Sequence, residues 1–214
     1  MRIAVLVYGR INTCAEHYKN ILWSFGENQL DFFLSSDNAS SKDLDVFIQL
    51  YKPIIYCNDT IYNNYNLDIY DYLLEPYRNI IGKINNKNII CHFINKGRVF
   101  KLLENFIKIE NIHYDYVVSI RIDLVFRNQF NFNIPVKLNT IYIPHGSDFV
   151  FGINDQIAYG NLEVMKKYMN IFANIFLFLD NKITIPHPEN LTKTNILYNE
   201  LEVERFNLDY FIEK

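Results

Sequence analysis

Glycine is scarce in this chain, 7 in 214 residues, and no G-x-G-x-x-G follows any apolar run. G-x-x-x-x-G-K-[ST] is missing too. The ordinary dinucleotide fingerprint and the NTPase P-loop therefore lose support, since each needs glycines that let backbone approach phosphate. H-E-x-x-H, G-x-S-x-G and any zinc-like Cys/His cluster are absent, which weakens hydrolase and zinc-enzyme readings. Cysteine numbers three (Cys14, Cys57, Cys91), far apart and without a C-x-x-C. That points to a reducing compartment rather than a disulfide framework. No stretch approaches the about 20 apolar residues of a membrane span. Ile3 to Tyr8 is too short for a signal core and lacks a following cleavage site, so it reads as a strand. A cytoplasmic location is the expectation. Net charge is −3, so no nucleic-acid partner is indicated. With no repeat and no Pro/Gly/Ser linker, one domain over 1–214 is the economical reading.

What is present is an alternation of strand-like and helix-like segments. Ile3-Ala-Val-Leu-Val-Tyr8 reads as a buried strand broken at Gly9-Arg10. Thr13 and Glu16 match a capping box, opening a helix that the spacing carries to about Phe25. Asp45 to Tyr51 and Ile54 to Tyr56 read as strands, 58–72 as a surface loop, and Lys96 to Glu110 as a helix. Tyr116 to Ile120 and Ile141 to Ile143 read as strands, and Asp148 to Gly152 as extended. Asn161 caps a helix whose apolar face runs to Leu179, and the end mixes a helix over about 189–200 with a strand over 201–206. The class is α/β, with a mainly parallel central sheet flanked by helices.

Tyr116 to Ile120 is the most informative segment, because the buried run ends in Arg121 and Asp123. Ligands of open α/β sheets bind outside the carboxyl ends of strands. A guanidinium and a carboxylate at that place suit a diphosphate and a divalent cation. Arg10, between a strand end and a helix start, is a second candidate for diphosphate contact, with Tyr8 and Gly9 shaping the same wall. Lys96 and Arg98, at a helix start, are candidates to line the nucleotide pocket. Asp155, in the polar cluster Asn154-Asp-Gln156, is a candidate to take a proton from an acceptor hydroxyl, and Asp148 competes for that role.

Val7-Tyr-Gly-Arg10, Asp45-Val-Phe-Ile48, Arg121-Ile-Asp123, Asn154 to Gly160 and His187-Pro-Glu189, in this order, resemble glycosyltransferases of the GT-A fold. The likeness is to a group found in giant DNA viruses and bacterial capsular or lipopolysaccharide clusters. It implies a single Rossmann-like GT-A domain and transfer from a nucleotide-sugar, UDP-sugar favoured, to a glycan or saccharide acceptor. It also implies Mn²⁺ or Mg²⁺ held by Asp123, with His187 approaching from the C-terminal side, and Glu189 on acceptor hydroxyls or capping the next helix. One departure stands out. The usual D-x-D has two acids, and here the first is Arg121. Two further readings stay open: a non-catalytic nucleotide-sugar-binding domain, and a sugar nucleotidyltransferase.

Overall fold

The computed structural model describes residues 1–61, 65, 67, 68, 74, 86–133, 135–149 and 151–213. In chain order it forms β1 (Arg2–Tyr8), α1 (Cys14–Ser24), β2 (Gln29–Ser35), α2 (Ser41–Tyr51), β3 (Ile55–Cys57) and α3 (Asn86–Glu110). There follow β4 (Tyr116–Ile120), β5 (Leu124–Phe126), β6 (Thr140–Pro144), β7 (Ile157–Gly160), α4 (Leu162–Met169), α5 (Ile171–Asp180), α6 (Pro188–Tyr198), β8 (Glu202–Phe206) and β9 (Tyr210–Ile212).

A seven-stranded sheet runs β3-β2-β1-β4-β7-β6-β8, and β5 pairs with β9 in a separate ribbon. The β3, β2, β1 and β4 strands are parallel neighbours, β7 runs antiparallel to both β4 and β6, and β8 is parallel to β6. The period of two along β1 divides the core. Ile3, Val5 and Val7 pack with Ile21 of α1, Phe25 just after it, and Phe47 and Tyr51 of α2. Ala4, Leu6 and Tyr8 face α3, through Val99 and Leu103, and α4, through Met165 and Tyr168. The first half of α3 then packs Ile89, Ile90 and Phe93 against Ile171, Ile175 and Phe178 of α5. Helices thus cover both faces, as a parallel sheet requires.

Several boundaries differ from the sequence expectation. Asp45 to Tyr51 is not a strand but most of α2: the Ser40 side chain accepts the Asp43 N–H, and the buried Phe47 and Tyr51 recur at helical spacing. The strand beside β1 is instead β2. Its Asp31 disguised it as polar, yet that carboxylate accepts from Arg2 Nε at 2.8 Å and Tyr114 Oη at 2.8 Å. The α3 helix starts ten residues before Lys96, at Asn86, and the apolar helix after Asn161 breaks at Asn170 into α4 and α5. Asp148 to Gly152 contains a turn, with the Gly152 N–H on Phe149 O, rather than a strand. Most of the loop expected over 58–72 lies outside the described residues.

Candidate active site

In the parallel register Val7 stands opposite Ile120, so β1 and β4 end side by side and deliver Tyr8, Gly9 and Arg10 next to Arg121, Ile122 and Asp123. These residues line a cleft of about 740 Å³, closed on other sides by Asn12 and Thr13 before α1, by Asn88, Cys91 and His92 on α3, and by Glu213. Gly9 sits at φ +91°, a left-handed conformation that costs a residue with a Cβ, and the space where a Cβ would stand is open. The turn requires glycine there, and the open space leaves the Gly9 backbone accessible from the cleft. Arg10 is exposed at the rim and makes no ion pair among the described residues. Thr13 does not close the expected capping box: its hydroxyl bonds no helix N–H and is left without a partner on the cleft wall.

Arg121 and Asp123 are joined in a bidentate pair, Nε to Oδ1 at 2.9 Å and Nη2 to Oδ2 at 2.5 Å. Below them lies a buried polar layer. Asp155 is 4% exposed. Its backbone carbonyl accepts from Tyr8 Oη and from Lys96 Nζ, each at 3.2 Å, and its Oδ2 lies 3.0 Å from His92 Nε2. Burial alone would raise this carboxyl, but His92, Lys96 and Arg121 outweigh it and hold the group at about 2. Lys96 is fully buried, over the rings of Tyr8, Phe93 and Tyr168, and burial brings its ammonium down to about 8 against the pull of Asp155 and Glu189.

The neighbouring acid behaves oppositely. Burial and then repulsion from Asp155 push Glu189 up to about 7. Its Oε2 stands 2.5 Å from His187 Nδ1, and the His187 ring stacks on Phe149 at 4.2 Å. Gly152 makes this packing possible, since a Cβ there would come within 2.6 Å of the Glu189 backbone.

The structure thus brings Tyr8, Gly9, Arg10, Arg121 and Asp123 to one cleft, with Asp155 beneath it. Lys96 belongs to the floor rather than the lining. Arg98 is turned away, onto Asp59 and Cys57. Asp148 is occupied in holding the turn: it accepts from Asn154 N at 2.8 Å and from Arg205 Nη2 at 2.7 Å. His92 was not singled out from the sequence. Only the extension of α3 back to Asn86 reveals that His92 and Lys96 lie one turn apart on a face toward the sheet.

The residues expected to hold a divalent cation do not form a cage. Both Asp123 oxygens are engaged by Arg121, His187 is set against Glu189, and neither joins a convergent group of three ligand atoms among the described residues. The ligand-type side chains that do converge there, within 4.8 Å, are Glu16, His17 and Glu213. Glu16 and His17 sit on the first turn of α1, where the helix dipole opposes a cation, and Glu213 follows β9.

No protein-family model matches this sequence. Nor does any curated protein match it by sequence. Among solved structures, the galactosyltransferase LgtC, in complex with donor and acceptor sugar analogues, superposes with a TM-score of 0.52 over 95% of this chain and 73% of its own, at 12% identity. The fold is of the GT-A type. At that identity the likeness concerns the path of the chain, and the chemistry has to be argued from the cleft.

Proposed function

We propose that this protein is a glycosyltransferase that moves a sugar from a nucleotide-sugar, a UDP-sugar by preference, to a glycan or saccharide acceptor. The observation that carries this reading is the position of Arg10 and Arg121 on one cleft at the carboxyl ends of β1 and β4, in a fold shared with a galactosyltransferase. Two guanidinium groups there meet the charge that develops on a leaving diphosphate. On the cleft wall the Thr13 hydroxyl is buried without a hydrogen-bond partner among the described residues, which suits a polar ligand. The R-x-D pattern and the resemblance to giant-virus and bacterial capsular enzymes support the same reading. Among the described residues no helix is long and apolar enough to cross a membrane.

The test is thermal melting of the full chain against nucleoside diphosphates and nucleotide-sugars, each with Mn²⁺ and with EDTA. A ligand at about 100 times its Kd stabilises by about 2.7 kcal/mol. Stabilisation by one nucleoside diphosphate names the donor base, and release of that diphosphate from its sugar conjugate that depends on an added saccharide acceptor establishes transfer. Binding without release on any acceptor favours the non-catalytic domain, for which the missing first acid of D-x-D is the motive. No stabilisation by any nucleotide overturns the proposal. The cation arm reads Asp123: stabilisation deepened by Mn²⁺ in wild type but not in Asp123→Ala makes Asp123 its ligand, and stabilisation indifferent to Mn²⁺ and EDTA leaves the charge to Arg121.

A further inference from the structure

His92 carries a constellation that the cleft itself does not require. It lines the cleft with its side chain 20% exposed, and turns Nε2 inward to 3.0 Å from Asp155 Oδ2. Asp155 cannot reach a substrate directly, because it is buried behind that ring. Its position is fixed from several sides. Tyr8 and Lys96 bond its carbonyl, while Asn154 before it holds the Gln156 N–H at 2.9 Å and gives its own N–H to Asp148. The Tyr8 ring meets His92 edge-on at 5.3 Å and Phe93 does so at 5.0 Å, which sets the imidazole plane.

We propose that His92 is the proton acceptor of the transfer reaction and that Asp155 is its positioning residue, an inference that rests on the glycosyltransferase reading. Nε2 is buried without an aligned hydrogen bond, but a carboxylate oxygen 3.0 Å away favours the proton of the neutral imidazole on Nε2, which leaves the lone pair on Nδ1, on the side of the ring away from Asp155. An acceptor hydroxyl would give its proton to Nδ1 as its oxygen bonds to the anomeric carbon. The bond from that carbon to the diphosphate oxygen breaks with its electron pair, toward Arg10 and Arg121. Asp155 stabilises the imidazolium so formed, the logic of an acid–imidazole pair.

The groups facing His92 fit this role. Burial lowers its pKa, and Lys96 on α3 and Arg121 after β4 push the same way. Asp155, from the segment before β7, opposes them through its contact and charge without prevailing, and Tyr8 of β1 stays neutral because burial raises its hydroxyl. The imidazole is neutral at neutral pH, as a base must be.

The experiment has two arms on the full chain. The first is modification by diethyl pyrocarbonate, read at His92 by mass spectrometry, with and without the nucleoside diphosphate found to stabilise the protein. The second is release of that diphosphate from its sugar conjugate over pH 5–9, for the wild type, His92→Gln and Asp155→Asn. Expected are modification at His92 that the nucleotide suppresses, and a fall of about 100-fold in kcat for His92→Gln with the acidic limb of the profile lost. Asp155→Asn is expected to lose less and to move that limb. Unchanged thermal stabilisation of His92→Gln by the nucleotide shows that the variant is folded and the donor site intact. Release by His92→Gln within about twofold of wild type, with the same pH profile, overturns the proposal while the glycosyltransferase reading stands. A wild type that no nucleotide stabilises overturns that reading, and this role of His92 with it.

Discussion

Arg121 grips Asp123 through both carboxylate oxygens at the tip of β4. A diphosphate entering the cleft competes with that carboxylate for the same planar fork. Arg121→Ala is therefore expected to weaken nucleoside diphosphate binding by about 10- to 100-fold, the worth of one or two charge-assisted hydrogen bonds. Titration calorimetry measures it. Equal affinity in the two proteins would remove Arg121 from the donor site.

Lys96 supplies a pH signature. An unfolded lysine keeps its proton to about 10.5, and the folded one only to about 8. Between these values the unfolded chain binds more protons, so this group adds stability as pH rises from 8 toward 10 and burdens the fold fully below 8. The gain is on the order of 2–3 kcal/mol at the top of the window. The buried tyrosines, whose hydroxyls burial raises, oppose this gain near pH 10 in both proteins, so urea titrations at pH 7.5 and 10 should show wild type gaining stability relative to Lys96→Met. The same slope in both proteins would mean that Lys96 is not the source.

Gly152 lies where β-carbons are excluded. A Cβ there would stand 2.6 Å from the Glu189 backbone carbon and 2.9 Å from Asn190 N. Gly152→Ala is expected to cost about 1–3 kcal/mol by forcing the start of α6 outward. Chemical denaturation reads the loss, and a variant as stable as wild type would show that the loop yields freely.

Asp31 is the acid inside β2. It is 7% exposed and joined to Arg2 and Tyr114, so Asp31→Ala should cost roughly 2–4 kcal/mol by leaving a guanidinium and a phenol without their acceptor. Tyr114→Phe removes one neutral donor and should cost only about 1 kcal/mol. Similar losses in the two variants would contradict this ordering.

What the sequence made legible follows from which signals are local. The buried run of β4 and its charged tip could be read directly, because a strand covered on both faces is apolar throughout and its end is marked by Arg121 and Asp123. The β1 strand and its turn at Gly9 were as clear. The β2 strand was hidden by Asp31, whose partners Arg2 and Tyr114 lie 29 and 83 residues away. The apolar residues of α2 passed for a strand because Val46, Phe47 and Ile48 are contiguous, and the decisive signal was the Ser40 cap. Lys96 reads from the sequence as a pocket-lining residue at a helix start, because the apolar spacing begins the helix ten residues late, whereas the full helix buries it in the floor. His92 was missed for the same reason, and its pairing with Asp155 across 63 residues has no local trace. Asp148 was chosen for its neighbours in sequence, whereas its partners Asn154 and Arg205 show a structural post.

The β5–β9 ribbon has a temporal consequence. Leu124, one residue after Asp123, pairs with Ile212, and the Glu213 N–H binds the Asp123 carbonyl at 3.1 Å. During synthesis at about 5–20 residues per second, β1, β2 and β4 can align several seconds before β9, the partner of β5, exists. The cleft wall beside Asp123 is completed after the strands that carry Arg10 and Arg121, so a nascent chain displays both arginines before Glu213 reaches the cleft.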